Sequence, residues 1–103
     1  MPTSAGRFRV TSPGASFSSS FVIDQITYSF QGIFSGVAIQ SCEGVMLLTF
    51  ADVDDLTSTQ LFSGVIGRTT AKITMANGVE ISGSLNNPIP IGNTVAGSGR
   101  WAF

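Results

Sequence analysis

Apolar and polar residues alternate along most of this chain in short runs with a period of two, the signature of half-buried β-strands. From Gly6 to Val10, Phe8 and Val10 alternate with Arg7 and Arg9, which predicts a first strand with one wet face. Ser12-Pro13-Gly14 predicts a turn. Ala15 to Ser20 is small and polar apart from Phe17 and reads as a loop or a frayed strand. Phe21 to Gln31 is the longest β candidate of the first half, with Val22, Ile26, Tyr28 and Phe30 on one face and Phe21 and Ile23 starting the other. Asp24-Gln25 interrupts it, so a bulge or short break is expected there. Val45 to Phe50 alternates only weakly, as a central strand buried on both faces would.

Ala71 to Gly83 carries the sharpest local signal. Asn77-Gly78 separates two alternating runs, and both residues tolerate positive φ, so the segment reads as a β-hairpin. A strict two-residue loop would place Ile73 and Met75 on one face and Val79 and Ile81 on the other. A three-residue loop, Ala76-Asn77-Gly78 with Gly78 as the left-handed bulge, pairs Met75 with Val79 and Ile73 with Ile81. It gathers all four on one face, with Lys72, Thr74, Glu80 and Ser82 on the other. Because a one-residue slip turns over every side chain, the hydrophobic pattern selects this second register. Before the hairpin, Asp54 or Asp55 is a good N-cap, and Leu56, Leu61 and Phe62 predict a helix of two to three turns ending near Gly64. The prolines of Leu85 to Asn93 predict an irregular or edge segment. Two large aromatics in Arg100-Trp101-Ala102-Phe103 predict a closing strand or a docked tail.

The stretch from Gln31 to Gly44 is punctuated by glycine yet keeps Ile33, Phe34, Val37 and Ile39. Exposing those side chains is costly, so cover by a neighbouring subunit is expected, the alternative being an ordinary edge hairpin. Composition strengthens that expectation. The 103 residues suit one domain, 1–103, but only 11% are charged and the formal net charge is -1. Soluble domains usually carry about 25% charged residues. Edge strands are normally blunted with charge, and little is available here. Burying strand edges against copies of the same chain would remove the problem, with Ile33, Phe34, Val37, Ile39, Trp101 and Phe103 as the expected contact residues.

Candidate chemistry is sparse. The chain has no histidine and one cysteine, Cys42, so an intramolecular disulfide is excluded, together with the commonest general base and metal ligand. Glu43 beside Cys42 opposes thiolate formation. Asp52, Asp54 and Asp55 lack the mid-loop glycine and terminal glutamate of a calcium-binding EF-hand, and capping explains them. Gly97-Ser98-Gly99 lacks the third glycine, the lysine and the following helix of a phosphate loop. A paired-carboxylate site depends on a cleft that spacing cannot test. The expectation is therefore a protein that is not an enzyme and uses no cofactor or metal. Near-zero charge gives no basis for nucleic-acid or anionic-membrane binding by bulk electrostatics. Its longest apolar run, Val45 to Leu48, is far short of the roughly 20 residues of a membrane helix. Met1 to Gly6 does not read as a signal peptide, so a cytoplasm-like compartment is expected.

From Val45 to Ile91 the order of elements resembles the tail tube proteins of long-tailed bacteriophages, the contractile-tailed type in particular. The shared features are a buried strand, the acidic step Asp52-Val53-Asp54-Asp55-Leu56 into a short helix, a Thr-rich strand, and the Ala76-Asn77-Gly78-Val79 hairpin. Ala5-Gly6 before an alternating strand fits more loosely. The resemblance implies a mainly β fold, a β-sandwich or half-barrel with one short helix. It implies six copies closed into a ring by edge-to-edge sheet continuation, and rings stacked into a tube through which DNA passes without specific binding. The partners it implies are other copies of the chain and tail sheath or other tail proteins, in a virion assembled in the host cytoplasm, with no membrane and no small-molecule substrate. Gln31 to Gly44 would be the loop that reaches the next ring. The chain is shorter than the family pattern and lacks an acidic strand between Asn93 and Phe103, so a tube-terminating or baseplate role on the same fold fits too. The alternative function is a small β-barrel ligand-binding module, with Tyr28, Phe30, Phe34 and Trp101 lining a hydrophobic cup.

Overall fold

The computed structural model describes residues 2–11, 15–36 and 39–103. Among these residues there are eight strands: β1 (Thr3–Thr11), β2 (Ser16–Ile23), β3 (Ile26–Phe34), β4 (Cys42–Thr49), β5 (Thr59–Ile66), β6 (Thr70–Met75), β7 (Glu80–Leu85) and β8 (Asn93–Ala102). They close into a barrel in the order β1-β2-β3-β8-β5-β6-β7-β4. Every pairing is antiparallel. The mainly β character agrees with the sequence pattern, but the sheet is a closed barrel and not a sandwich or half-barrel. Closure depends on β8, which lies between β3 and β5 and forms two of the seams. The aromatic C-terminal segment is thus a closing strand.

The expected helix is replaced by a single 3-10 turn, Val53–Asp55. Its cap is Asp52, whose Oδ1 accepts from the backbone N–H of Asp54 at 3.0 Å, and not Asp54 or Asp55. Residues 59–66 form β5 because Phe62 and Ile66 point inward at strand spacing. The β-branched and hydroxyl residues Thr57, Ser58 and Thr59 offer little to hold a helix there.

The β6–β7 hairpin adopts the bulged register. Ile73 faces Ile81, and the N–H of Met75 donates to the Val79 carbonyl at 2.8 Å. Gly78 has a φ of 91°, a region that a side chain would strain. Lys72 and Glu80 form an ion pair at 3.4 Å on the outer face. Asn77 fastens the hairpin tip to the 3-10 turn, donating from Nδ2 to the Asp55 carbonyl at 3.0 Å.

Phe21 to Gln31 is not one strand. Asp24 and Gln25 form a two-residue turn between β2 and β3, with φ of 51° and 69°. Primed turns of this kind match the right-handed twist of a hairpin but disfavour residues with side chains. In such a hairpin partners have opposite parity, as in Phe21 opposite Tyr28. Phe17, Ser19 and Phe21 therefore point inward on β2, whereas Tyr28, Phe30, Gly32 and Phe34 do so on β3. Val22 points outward, contrary to the face expected from the sequence, whereas Ile26 keeps the face of Tyr28 and Phe30 and is half exposed because it opens the strand. Likewise β4 is not buried on both sides. Its inward residues are Gly44, Met46 and Leu48, and Val45 and Leu47 are exposed.

Aromatic rings fill the interior. Phe17, expected in a loop or frayed strand, stands at its centre within 5.1 Å of Phe8, 5.3 Å of Phe34, 5.2 Å of Phe62 and 5.9 Å of Phe30, measured between ring centroids. Gly32 and Gly99 face each other across β3 and β8. A Cβ on Gly32 would collide with the Phe17 ring, and one on Gly99 with the Phe30 ring. The two glycines thus create the space that the rings occupy. Loop residues plug the ends, Leu56 and Val79 at one and Ile39 and Ile89 at the other, all buried.

Phe17→Ala should cost about 3–5 kcal/mol, the usual range for a buried phenylalanine, read as a lower urea midpoint. Gln25→Gly should instead raise stability by up to about 1 kcal/mol, because it relieves a left-handed side-chain residue.

Candidate functional site

Strand alternation delivers small polar and cationic side chains to the outer surface of β1, β2, β3 and β8. On β1 these are Arg7 and Arg9; on β2, Ser18 and Ser20; on β3, Ser29 and Gln31; on β8, Ser98 and Arg100. Register aligns them into transverse rows. One row runs Glu43, Arg9, Ser18, Gln31, Arg100 and Thr59 from β4 across to β5. The next runs Val45, Arg7, Ser20, Ser29 and Ala102.

Two shallow grooves follow these rows. The first, about 590 Å³, is lined by Arg7, Arg9, Ser18, Ser20, Ser29, Gln31 and Glu43 among others. The second, about 670 Å³, includes Ser16, Ser18, Gln31, Ile33, Thr59 and Arg100. Ser18 and Gln31 line both, so the grooves adjoin. Glu43 is opposite Arg9 in register, but Lys72–Glu80 is the single ion pair among the described residues. The three guanidiniums are exposed. Ser19, between Ser18 and Ser20, points inward and donates to the Phe30 carbonyl at 3.1 Å, so it belongs to the barrel wall.

The hydrophobic cup expected of Tyr28, Phe30, Phe34 and Trp101 does not exist as an opening, because all four are core residues. Phe30 and Trp101 pack with centroids 5.0 Å apart. The indole N–H of Trp101 is buried there without a hydrogen-bond partner among the described residues. The expected intersubunit residues divide. Phe34, Ile39 and Trp101 are buried within the chain's own core, so they offer a neighbour no surface. Ile33, 65% exposed, and Phe103, 74% exposed, do face outward. Val37 lies outside the described residues. Phe103 stacks on Tyr28 at 5.2 Å between centroids.

The remaining chemistry is dispersed. Among the described residues, no three His, Cys, Asp or Glu side chains come close enough to share a metal ion. Gly97 and Gly99 belong to β8 and line the barrel, not a phosphate loop. Cys42 is a free thiol whose burial raises its pKa above the ordinary thiol value. Among the described residues, no helix is long and apolar enough to cross a membrane. No family model, curated protein or solved structure matches the chain.

Nothing in the sequence singled out the polar rows. Each residue is ordinary by itself, and only the strand order sets Arg100 three strands from Arg9. Because desolvation holds Cys42 in its thiol form, its alkylation by iodoacetamide at pH 8 should be clearly slower in the native protein than in urea, and should accelerate above the ordinary thiol range. Intact-mass spectrometry over time checks both.

Proposed function

We propose that this chain is a non-catalytic binding module that recognises its partner through the outer face of β1, β2, β3 and β8. The observation that carries this reading is the contrast between inside and outside. The interior is occupied by close-packed aromatic rings, whereas the outer rows present exposed guanidiniums, hydroxyls and an amide along two adjoining grooves. Small barrels with filled interiors, like the OB-fold, bind through strand faces and loops. The alternation also argues against a lipid-facing barrel. Such barrels carry an apolar band outside, and here Arg9, Ser18, Gln31 and Arg100 cross the wall where that band would have to run.

The tail-tube subunit is the second reading. Its support is the exposed apolar surface, including Val22, Ile33, Val45, Leu61 and Ile91, each more than half exposed. Such side chains could supply contact area between copies. Since the barrel is closed, however, no free strand edge is left for ring formation by sheet continuation. Rings around a DNA conduit would have to form by side-chain contact between barrel faces.

Sedimentation velocity with negative-stain microscopy tests the choice. The module should remain a monomer of 10.7 kDa at high concentration. Rings or tubes in the micrographs would reverse the order of the two readings.

A further inference from the structure

We propose that the face bearing Arg7, Arg9 and Arg100 binds an acidic polysaccharide, a chain of sugar units carrying carboxylate or sulfate groups. The proposal deepens the binding-module reading and rests on it. Three of the five cationic side chains gather on this face of a chain whose net charge is -1. Only Glu43, at the margin, opposes them. Asp24, Asp52, Asp54 and Asp55 lie instead in the connections at the end of the barrel holding the β2–β3 turn.

The geometry selects among anions. Arg9 and Arg100 are separated by three strand spacings, about 14 Å of sheet at about 4.8 Å each, so the row suits an extended ligand with several charged groups. Arginine matches carboxylate and sulfate oxygens with a planar, two-pronged donor set. Between the guanidiniums lie Ser18, Ser20 and Gln31, short donors and acceptors suited to sugar hydroxyls. Every aromatic ring on these four strands points into the core. Between the guanidiniums no ring lies exposed: Phe8 and Phe17 border the grooves only as buried residues, and the exposed ring of Phe103 sits beyond the end of β8, so the row lacks the succession of stacking platforms that single-stranded nucleic acid uses.

The test uses isothermal titration of the full chain with four probes: a heparin oligosaccharide, an oligogalacturonate, a neutral cello-oligosaccharide and an oligothymidylate. At least one acidic glycan should bind, with affinity falling as salt rises. The cello-oligosaccharide should not bind. Arg9→Ser and Arg100→Ser should each weaken binding about tenfold or more, the size of one charge-assisted contact, with partial retention in Arg9→Lys. Lys72→Ser, on another face, should leave binding unchanged. All of these positions are exposed, and melting curves check that each variant folds. The proposal is overturned if neither acidic glycan binds, if the serine variants bind as the parent does, if the neutral glycan binds equally well, or if the oligonucleotide binds more tightly. Sedimentation in the same buffer separates the two levels of inference. A monomer indifferent to both acidic glycans overturns this proposal alone, whereas assembly into rings overturns the binding-module reading as well.

Discussion

The backbone hydrogen bonds of each strand are shared with a strand on either side, all the way round the ring. This constraint governs the rest of the molecule, because a sheet that closes on eight strands must fill a narrow interior with side chains. Alternation then divides every strand into an inner set that packs and an outer set that meets solvent or a partner. The inner set is rich in phenylalanine, and it fits only where Gly32 and Gly99 leave the wall thin. The outer set is free of packing duties, so its chemistry is available for recognition.

Closure also solves the solubility problem posed by the composition. Low charge would be hazardous for an open sheet, whose unpaired edge groups invite pairing with other chains. Here the edges are joined within one chain, and hydroxyl side chains on β2 and β8 wet much of the outer wall. The exposed apolar side chains that remain are spread among polar neighbours in register, as Ile33 is beside Ser16 and Ser98. Scattered apolar residues of this kind are ordinary on protein surfaces.

Local patterns were readable in the sequence where one rule dominated. In β1 the Arg7-Phe8-Arg9-Val10 alternation sufficed, and in β6–β7 the need to gather Ile73, Met75, Val79 and Ile81 fixed the bulged register. Phe21 to Gln31 misled because Asp24-Gln25 lacks the glycine that announces a primed turn, and the parity change at a two-residue hairpin then reversed the face assigned to Val22. The acidic step at Asp52 to Asp55 looked like a helix start because capping chemistry is shared by α and 3-10 turns. The outer rows were invisible for a different reason. They are made by long-range register between strands distant in sequence, which no local pattern encodes. Closure was hidden in the same way, since β3 meets β8 across more than sixty positions of intervening chain.

The placement of β8 has a consequence for how the chain reaches its native state. Seven strands leave the ribosome before it, yet none of them can bridge β3 to β5. Nascent polypeptide up to residue 92 thus presents two open sheet borders, and topology of this long-range kind folds slowly. Chaperone demand during synthesis should centre on that one late-arriving staple.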